Sequence, residues 1–296
     1  MHNLVLGDLG RGKSVGTIWN VVRITEEAML EISGGSLPDE IAKWRESMLG
    51  KAPEQVLEWY GENYPAILAS VTPNKRKNSM EIKLTDFQKA DALIYWHTQN
   101  LFASWTLENQ PKLEKALGRD NIHAMPYIYT NFPLNHPLAR EYSDIDFIDL
   151  LARLNELAAG GKAVDTDRIM HDNFDGTTLA WDEAHLTGDS RRSGTKEFQI
   201  LFAHITRSRK FGQLSFWISQ VRSSLDTRLR TMALWQCEPN PVGDGYFEWK
   251  MIHRNDKFVQ NPRSTFFKAW RFFPFYKTDF VVFGATPAHL GKKRKR

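Results

Sequence analysis

Short apolar runs alternate with longer segments of helical periodicity along this chain, and turn residues separate them. Asn3-Leu4-Val5-Leu6 is a β-type run, followed after a glycine-rich turn by an apolar-rich helix over roughly residues 13–31. Ser33-Gly34-Gly35-Ser36 breaks that helix. Thr177-Thr178-Leu179-Ala180-Trp181 and Leu214-Ser215-Phe216-Trp217-Ile218-Ser219 read as buried strands, and a shorter strand falls at 127–129. Residues 147–159 read as a helix stopped by Gly160-Gly161. Residues 195–209 read as another, with Phe198, Ile200, Leu201, Phe202 and Ile205 on its apolar face. Residues 233–238 form a strand leading into Pro239-Asn240-Pro241, and 245–252 alternate like its hairpin partner. The aromatic-rich stretch 266–283 predicts a final helix and strand packed on the sheet. The whole describes an α/β fold with a central, mostly parallel sheet flanked by helices.

Residues 33–120 depart from this alternation and are mostly helical by pattern. Pro38 and Pro53 can each occupy the first turn of a short amphipathic helix. Thr85-Asp86 can cap a longer helix running to about Ser104, with Leu93, Tyr95, Trp96, Leu101 and Phe102 supplying apolar surface. We read the interval as a helical insertion within one domain spanning 1–291. It would pack on that domain's core and offer a subunit contact. Trp44, Trp59, Trp96 and Trp105 serve core or interface packing on this reading, with base stacking as the alternative.

The turn after the first strand carries chemistry. Gly7-Asp8-Leu9-Gly10-Arg11-Gly12-Lys13-Ser14 matches the P-loop pattern, in the strand–turn–helix setting that pattern requires. Gly7, Gly10 and Gly12 let consecutive backbone N–H groups turn inward around a phosphate, and the helix that begins near Lys13 points its positive end at the same anion. Lys13 reaches the β- and γ-phosphates, and the Ser14 hydroxyl is a ligand for Mg2+. The expected nucleotide cradle is Gly7, Asp8, Leu9, Gly10, Arg11, Gly12, Lys13, Ser14 and Val15, with ATP and Mg2+ as the bound species.

A second element supplies carboxylates. The strand ending at Trp181 runs into Asp182-Glu183, where parallel sheets bind ligands at the carboxyl ends of their strands. Asp182 is assigned to the metal and Glu183 to activation of the attacking water. The alternative is an acidic helix start, since carboxylates favour helix N-termini. Gln220, just past the third strand, suits a sensor that hydrogen-bonds the γ-phosphate or the lytic water; a polar residue that merely ends a strand is the simpler reading.

Composition narrows the setting. The chain has 296 residues, 42% of them hydrophobic, enough for a sizeable core without disulfides. A single cysteine, Cys237, cannot form an internal bridge, which favours a reducing, cytoplasmic compartment. No apolar run reaches about eighteen residues, so no transmembrane helix is expected. The first residues lead straight into the P-loop strand, so no cleavable leader is expected either. The net charge is +4, concentrated between Arg191 and Arg230 and in the tail Lys292-Lys293-Arg294-Lys295-Arg296. Such clusters attract phosphate backbones; a solvated terminus is the alternative for the tail. His185 and His253 have no partners at metal-ligand spacing, so a zinc site is not expected.

Several fragments together resemble a known group. Asp182-Glu183-Ala184-His185, an arginine-rich helix ending before a glycine, and Ser219-Gln220 resemble the FtsK–HerA superfamily of P-loop ATPases. Within it, Tyr129-Thr130-Asn131-Phe132-Pro133-Leu134 and Phe275-Tyr276-Lys277-Thr278 are most similar to the zonular occludens toxin-like proteins, which include filamentous-phage assembly ATPases. The resemblance implies a RecA/FtsK–HerA-like fold and an ATP-driven motor, working as a ring, here taken as hexameric, that moves DNA or extrudes a nucleoprotein. The phage proteins carry a transmembrane helix after the ATPase domain; this chain reaches Arg296 without one, and the interval before the Thr-Asn strand is longer. The reading that follows is a soluble viral genome-packaging ATPase in the host cytoplasm, transiently associated with virion or assembly proteins. The alternatives are a morphogenesis or extrusion ATPase with a membrane partner, and a small-molecule P-loop kinase.

Ring ATPases complete their sites with an arginine from a neighbouring subunit. Arg207, Arg209, Arg222, Arg228 and Arg230 are in range, with Arg209 and Arg222 as the principal candidates. A solvated basic helix end is the plainer account. The loop 187–194 carries Arg191 and Arg192, the expected DNA contacts.

Overall fold

Eight strands form one sheet. In chain order they are β1 (His2–Leu6), β2 (Ile128–Thr130), β3 (Ala139–Glu141), β4 (Thr178–Trp181), β5 (Leu214–Ser219), β6 (Trp235–Gly243), β7 (Tyr246–His253) and β8 (Arg263–Lys268). Their spatial order is β3-β2-β4-β5-β1-β6-β7-β8. Every pairing from β3 to β6 is parallel, and β7 and β8 complete the sheet antiparallel. The computed structural model describes residues 2–6, 12–71, 84–116, 125–159, 163–187, 194–220, 225–243, 245–253 and 263–276, excepting the side chains at 111–116, 157–168, 185 and 187.

The central strands are apolar on both faces because both faces are covered. Val5, Ile128, Ala180, Phe216 and Ile218 join one buried cluster, while their neighbours Leu4, Leu6, Tyr129, Leu179, Trp181 and Trp217 join another. This is the period of two expected of strands, filled with hydrophobic residues on either side.

The first face is covered by α1 (Lys13–Ile32), α2 (Asp39–Leu49), α3 (Pro53–Asn63), α4 (Pro65–Ser70), α5 (Asp86–Ala116) and a 3-10 segment, Ala269–Phe275. Helices α2, α3 and α5, which the sequence marks as an insertion, share their buried cluster with the sheet through Met48, Val56, Tyr60 and Leu93. Trp44 and Trp59 gather around His97, with Trp44 stacked on its ring at 4.4 Å, and Trp105 lies against Phe102. Helix α1 passes close over the antiparallel strands. A Cβ on Gly16 would stand 2.6 Å from the Trp249 ring, so only glycine fits there.

The second face carries α6 (Asp144–Ala159), α7 (Ala163–Phe174), α8 (Ala184–Thr187), α9 (Lys196–Arg207) and α10 (Thr227–Met232). Thr195 caps α9, accepting from the Phe198 N–H at 3.2 Å.

Several elements differ from the sequence reading. Helix α5 continues to Ala116 rather than stopping near Ser104. Strand β3 and helix α7 had no counterpart, since β3 is three residues long and α7 has a mixed polar pattern. At the C-terminal end the strand β8 precedes the helical segment, and residues 277–283 lie outside the described residues. Among the described residues no helix is long and apolar enough to cross a membrane.

Candidate functional site

The first turn of α1 faces the carboxyl edge of the parallel strands. Gly7, Asp8, Leu9, Gly10 and Arg11 lie outside the described residues. Gly12 takes a left-handed φ of 81°, and its carbonyl accepts from the Gly16 N–H at 2.8 Å, the first bond of the helix. A Cβ at Gly12 would collide with the Phe247 ring, so backbone freedom and space both call for glycine. Gly12, at the N-cap, has no side chain to cap the helix, and the first turn of α1 carries no acid. Lys13, in that turn, is 9% exposed. The Val15 side chain packs toward the core, leaving its backbone N–H as what it can offer a ligand.

The acidic pair stands at the end of β4. The Ser14 hydroxyl donates to Asp182 Oδ2 at 3.1 Å, across 168 positions of sequence. Asp182 Oδ1 accepts from the Glu183 N–H at 2.8 Å. Glu183 has φ 48°, the one positive φ of a non-glycine residue among the described residues. Such a conformation costs an L-residue about 1–2 kcal/mol. Strand β5 lies between β1 and β4, and Gln220 just beyond it donates from Nε2 to Glu183 Oε1 at 2.7 Å. Parallel pairing brings the ends of all three strands to one edge.

A further shell holds the acidic turn. The Asn131 amide spans the Asp182 backbone, with Nδ2 donating to the Asp182 carbonyl at 2.9 Å and Oδ1 accepting from its N–H at 2.7 Å. Asp144 Oδ1 accepts from Asn131 Nδ2 at 3.3 Å and from the Trp181 indole N–H at 2.9 Å. Sequence reading placed Asn131 in a Thr-Asn turn but gave it no role, and it passed over Asp144. Neither carries a local signal, because the partners are 51 and 37 positions away.

Burial pushes the Asp182 carboxyl above its ordinary pKa, and the adjacent Glu183 charge adds to this. The Glu183 N–H, the Ser14 hydroxyl and the Lys13 charge oppose it. A carboxylate this desolvated gains from a cation beside it. Ser14 Oγ and Asp182 Oδ2 are hard oxygen donors side by side, the type of ligand Mg2+ selects when it keeps its other positions for water and phosphate. The donor set therefore fits Mg2+. Among the described residues there is no group of three or more His, Cys, Asp or Glu able to hold a metal alone.

The arginines are dispersed. Arg209 lies near His2, the first residue of β1, and the adjoining Ser208 hydroxyl is 3.2 Å from the His2 ring. It thus sits at the amino edge of the sheet, opposite Lys13 and Asp182. Arg207 Nη1 donates to Asn155 at 3.4 Å. Arg228 is held by Asp226 at 3.0 Å and lies over the Phe198 and Phe202 rings, while Arg230 donates to Thr227. Arg222, Arg191 and Arg192 lie outside the described residues.

No protein-family model matches this chain, and no curated protein matches it. Among solved structures, it is similar to the N-terminal domain of zonular occludens toxin from Neisseria meningitidis, with 16% identity and a TM-score of 0.32 over 57% of this chain and 92% of that one. A likeness of that size carries no argument about fold or function.

Proposed function

We propose that this chain is a P-loop ATPase that hydrolyses ATP with Mg2+ at the edge where α1, β4 and β5 meet. The observation that carries the reading is the Ser14–Asp182 contact at 3.1 Å, which joins the Gly-Lys-Ser helix start to the acidic strand end. The acid-free first turn of α1 and the near-burial of Lys13 support it.

Each residue has a task under this reading. Lys13 and the first N–H groups of α1 bind and orient the terminal phosphates. Ser14 and Asp182 would hold Mg2+, whose charge, when bound, offsets that developing on the phosphate oxygens. Glu183 accepts the proton of the attacking water, and Gln220 fixes the rotamer from which it does so. Asp-Glu beside the phosphate site suits water as acceptor better than a small-molecule hydroxyl.

We further propose that hydrolysis drives DNA movement in a self-associated ring of the FtsK–HerA type, as in genome packaging. Support comes from the motif resemblance and from the basic residues Arg191 and Arg192 between β4 and α9. The test is steady-state ATP hydrolysis with and without single- and double-stranded DNA. Lys13→Ala should abolish nucleotide binding. Glu183→Gln should keep binding and lose roughly 10²–10⁴ in turnover. Absence of Mg2+-dependent hydrolysis in folded protein refutes the ATPase, whereas hydrolysis indifferent to DNA refutes only the motor.

A further inference from the structure

Glu183 stands in a backbone conformation that an L-residue leaves unless its surroundings hold it there. The surroundings can be named. The peptide joining Asp182 to Glu183 is gripped at both of its polar atoms. Its carbonyl oxygen accepts from Asn131 Nδ2 at 2.9 Å, and its N–H donates to Asp182 Oδ1 at 2.8 Å. The preceding N–H, that of Asp182, donates to Asn131 Oδ1 at 2.7 Å. One side-chain amide therefore fixes two successive peptide planes and with them the φ and ψ of Asp182. The Glu183 carbonyl, accepting from the Leu186 N–H at 2.8 Å, holds the next plane, so Glu183 sits between two fixed peptides.

Asn131 is itself held. The Thr130 hydroxyl bridges over it, donating to the Phe132 carbonyl at 3.0 Å and accepting from the Phe132 N–H at 3.1 Å. The Asp144 carboxylate accepts from Asn131 Nδ2, which sets the amide's orientation. Asp144 begins α6 and is 2% exposed; Asn131 is 6% exposed. So a buried chain of bonds runs from the start of α6 through the end of β2 to the acidic turn after β4.

We propose that Asn131, braced by Asp144, is a positioning residue that fixes the Asp182 backbone leading into the left-handed turn at Glu183 and so sets where the Asp182 and Glu183 carboxylates stand. Asn131 touches neither carboxylate oxygen and acts through backbone alone. The kinetic part of this proposal rests on the ATPase reading; the conformational part does not.

Both parts are tested with Asn131→Ala, alone and combined with Asp144→Ala. The expected kinetic result is a kcat lowered by about ten- to a hundredfold with KM for Mg-ATP within about twofold, since the phosphate-binding turn is untouched while the reacting groups are displaced. The double variant should be no slower than Asn131→Ala, because Asp144 works through Asn131. The expected structural result, from a crystal structure of Asn131→Ala, is a Glu183 that has left the positive-φ region. Should that variant not fold, Asn131→Asp is the same size and keeps the acceptor for the Asp182 N–H. It sets an oxygen against the Asp182 carbonyl and Asp144, and the same two results are expected. Glu183 retained near its present φ overturns the proposal at any rate of turnover, as does an unchanged kcat. A wild-type protein without ATPase activity refutes the ATPase reading instead, and the variant's Glu183 conformation then decides the clamp.

Discussion

The Gln220 side-chain amide donates a 2.7 Å hydrogen bond to the Glu183 carboxylate, linking the tips of adjacent parallel strands. A hydrogen bond to a charged acceptor contributes about 1.5–3 kcal/mol. Gln220→Ala should therefore lower kcat about ten- to a hundredfold, with little change in KM. Gln220→Glu should be slower still, because it sets a carboxylate against the proposed base. Steady-state ATP hydrolysis measures both, and an alanine variant at wild-type rate would separate Gln220 from the chemistry.

Acid should weaken the fold through histidines remote from the site. Burial lowers His2 and His97 to about 4, His136 to about 3 and His204 to about 4, against an ordinary 6.5. The folded chain thus binds fewer protons than the unfolded one between these values. Stability is complete above about pH 6.5 and declines as pH falls toward 4, by about 1.4 kcal/mol per pH unit for each such histidine. His204 is a suitable probe, since its Nε2 meets the Gln213 amide at 3.0 Å inside the α9 packing. Urea unfolding from pH 7 to 4.5 should show a shallower pH slope for His204→Asn than for wild type. Equal slopes would mean that His204 is not kept neutral by folding.

Asp91 ties α5 to the C-terminal 3-10 segment. It accepts from Arg271 at 2.6 and 2.7 Å and from the Trp270 indole at 2.9 Å. Burial raises the Asp91 pKa, but the Arg271 and Trp270 bonds outweigh it and hold the carboxyl below its ordinary value. Asp91→Ala should cost about 2–3 kcal/mol, since Arg271 keeps its charge and loses its partner. Arg271→Met should cost a similar amount, and the double variant less than their sum. A double-mutant cycle by urea denaturation checks this, with strict additivity as the contrary outcome.

Gly16 is a packing position. Its missing Cβ would stand 2.6 Å from the ring of Trp249, a residue 1% exposed. Gly16→Ala should destabilise by about 1–3 kcal/mol despite alanine's better helix propensity. Thermal unfolding measures it; a raised melting temperature would show that the Trp249 ring yields.

The chain's own pattern determined which segments are strands and which are helices wherever the segment is long or strongly apolar. Strand β5, with its uninterrupted Leu-Ser-Phe-Trp-Ile-Ser run, and α1, which starts at a Gly-Lys-Ser turn, are local consequences of local residues. So is the residue inventory of the candidate site, because Lys13 and Ser14 open a helix after a glycine-rich turn and Asp182 and Glu183 follow a strand end, both visible in the sequence. What the sequence could not decide is which ends converge. Ser14 and Asp182 meet only because β5 lies between β1 and β4, an order set by how the whole sheet is wound. The same winding carries Arg209 to the amino edge of the sheet. Short elements such as β3 have too few residues to show a period, so they form only when a neighbouring strand supplies their hydrogen bonds. The clamp on Glu183 is the clearest tertiary product. A glutamate does not choose a left-handed backbone by itself, and the bonds that fix the peptide leading into it come from Asn131, braced by Asp144, residues placed there only by the completed sheet and its covering helix.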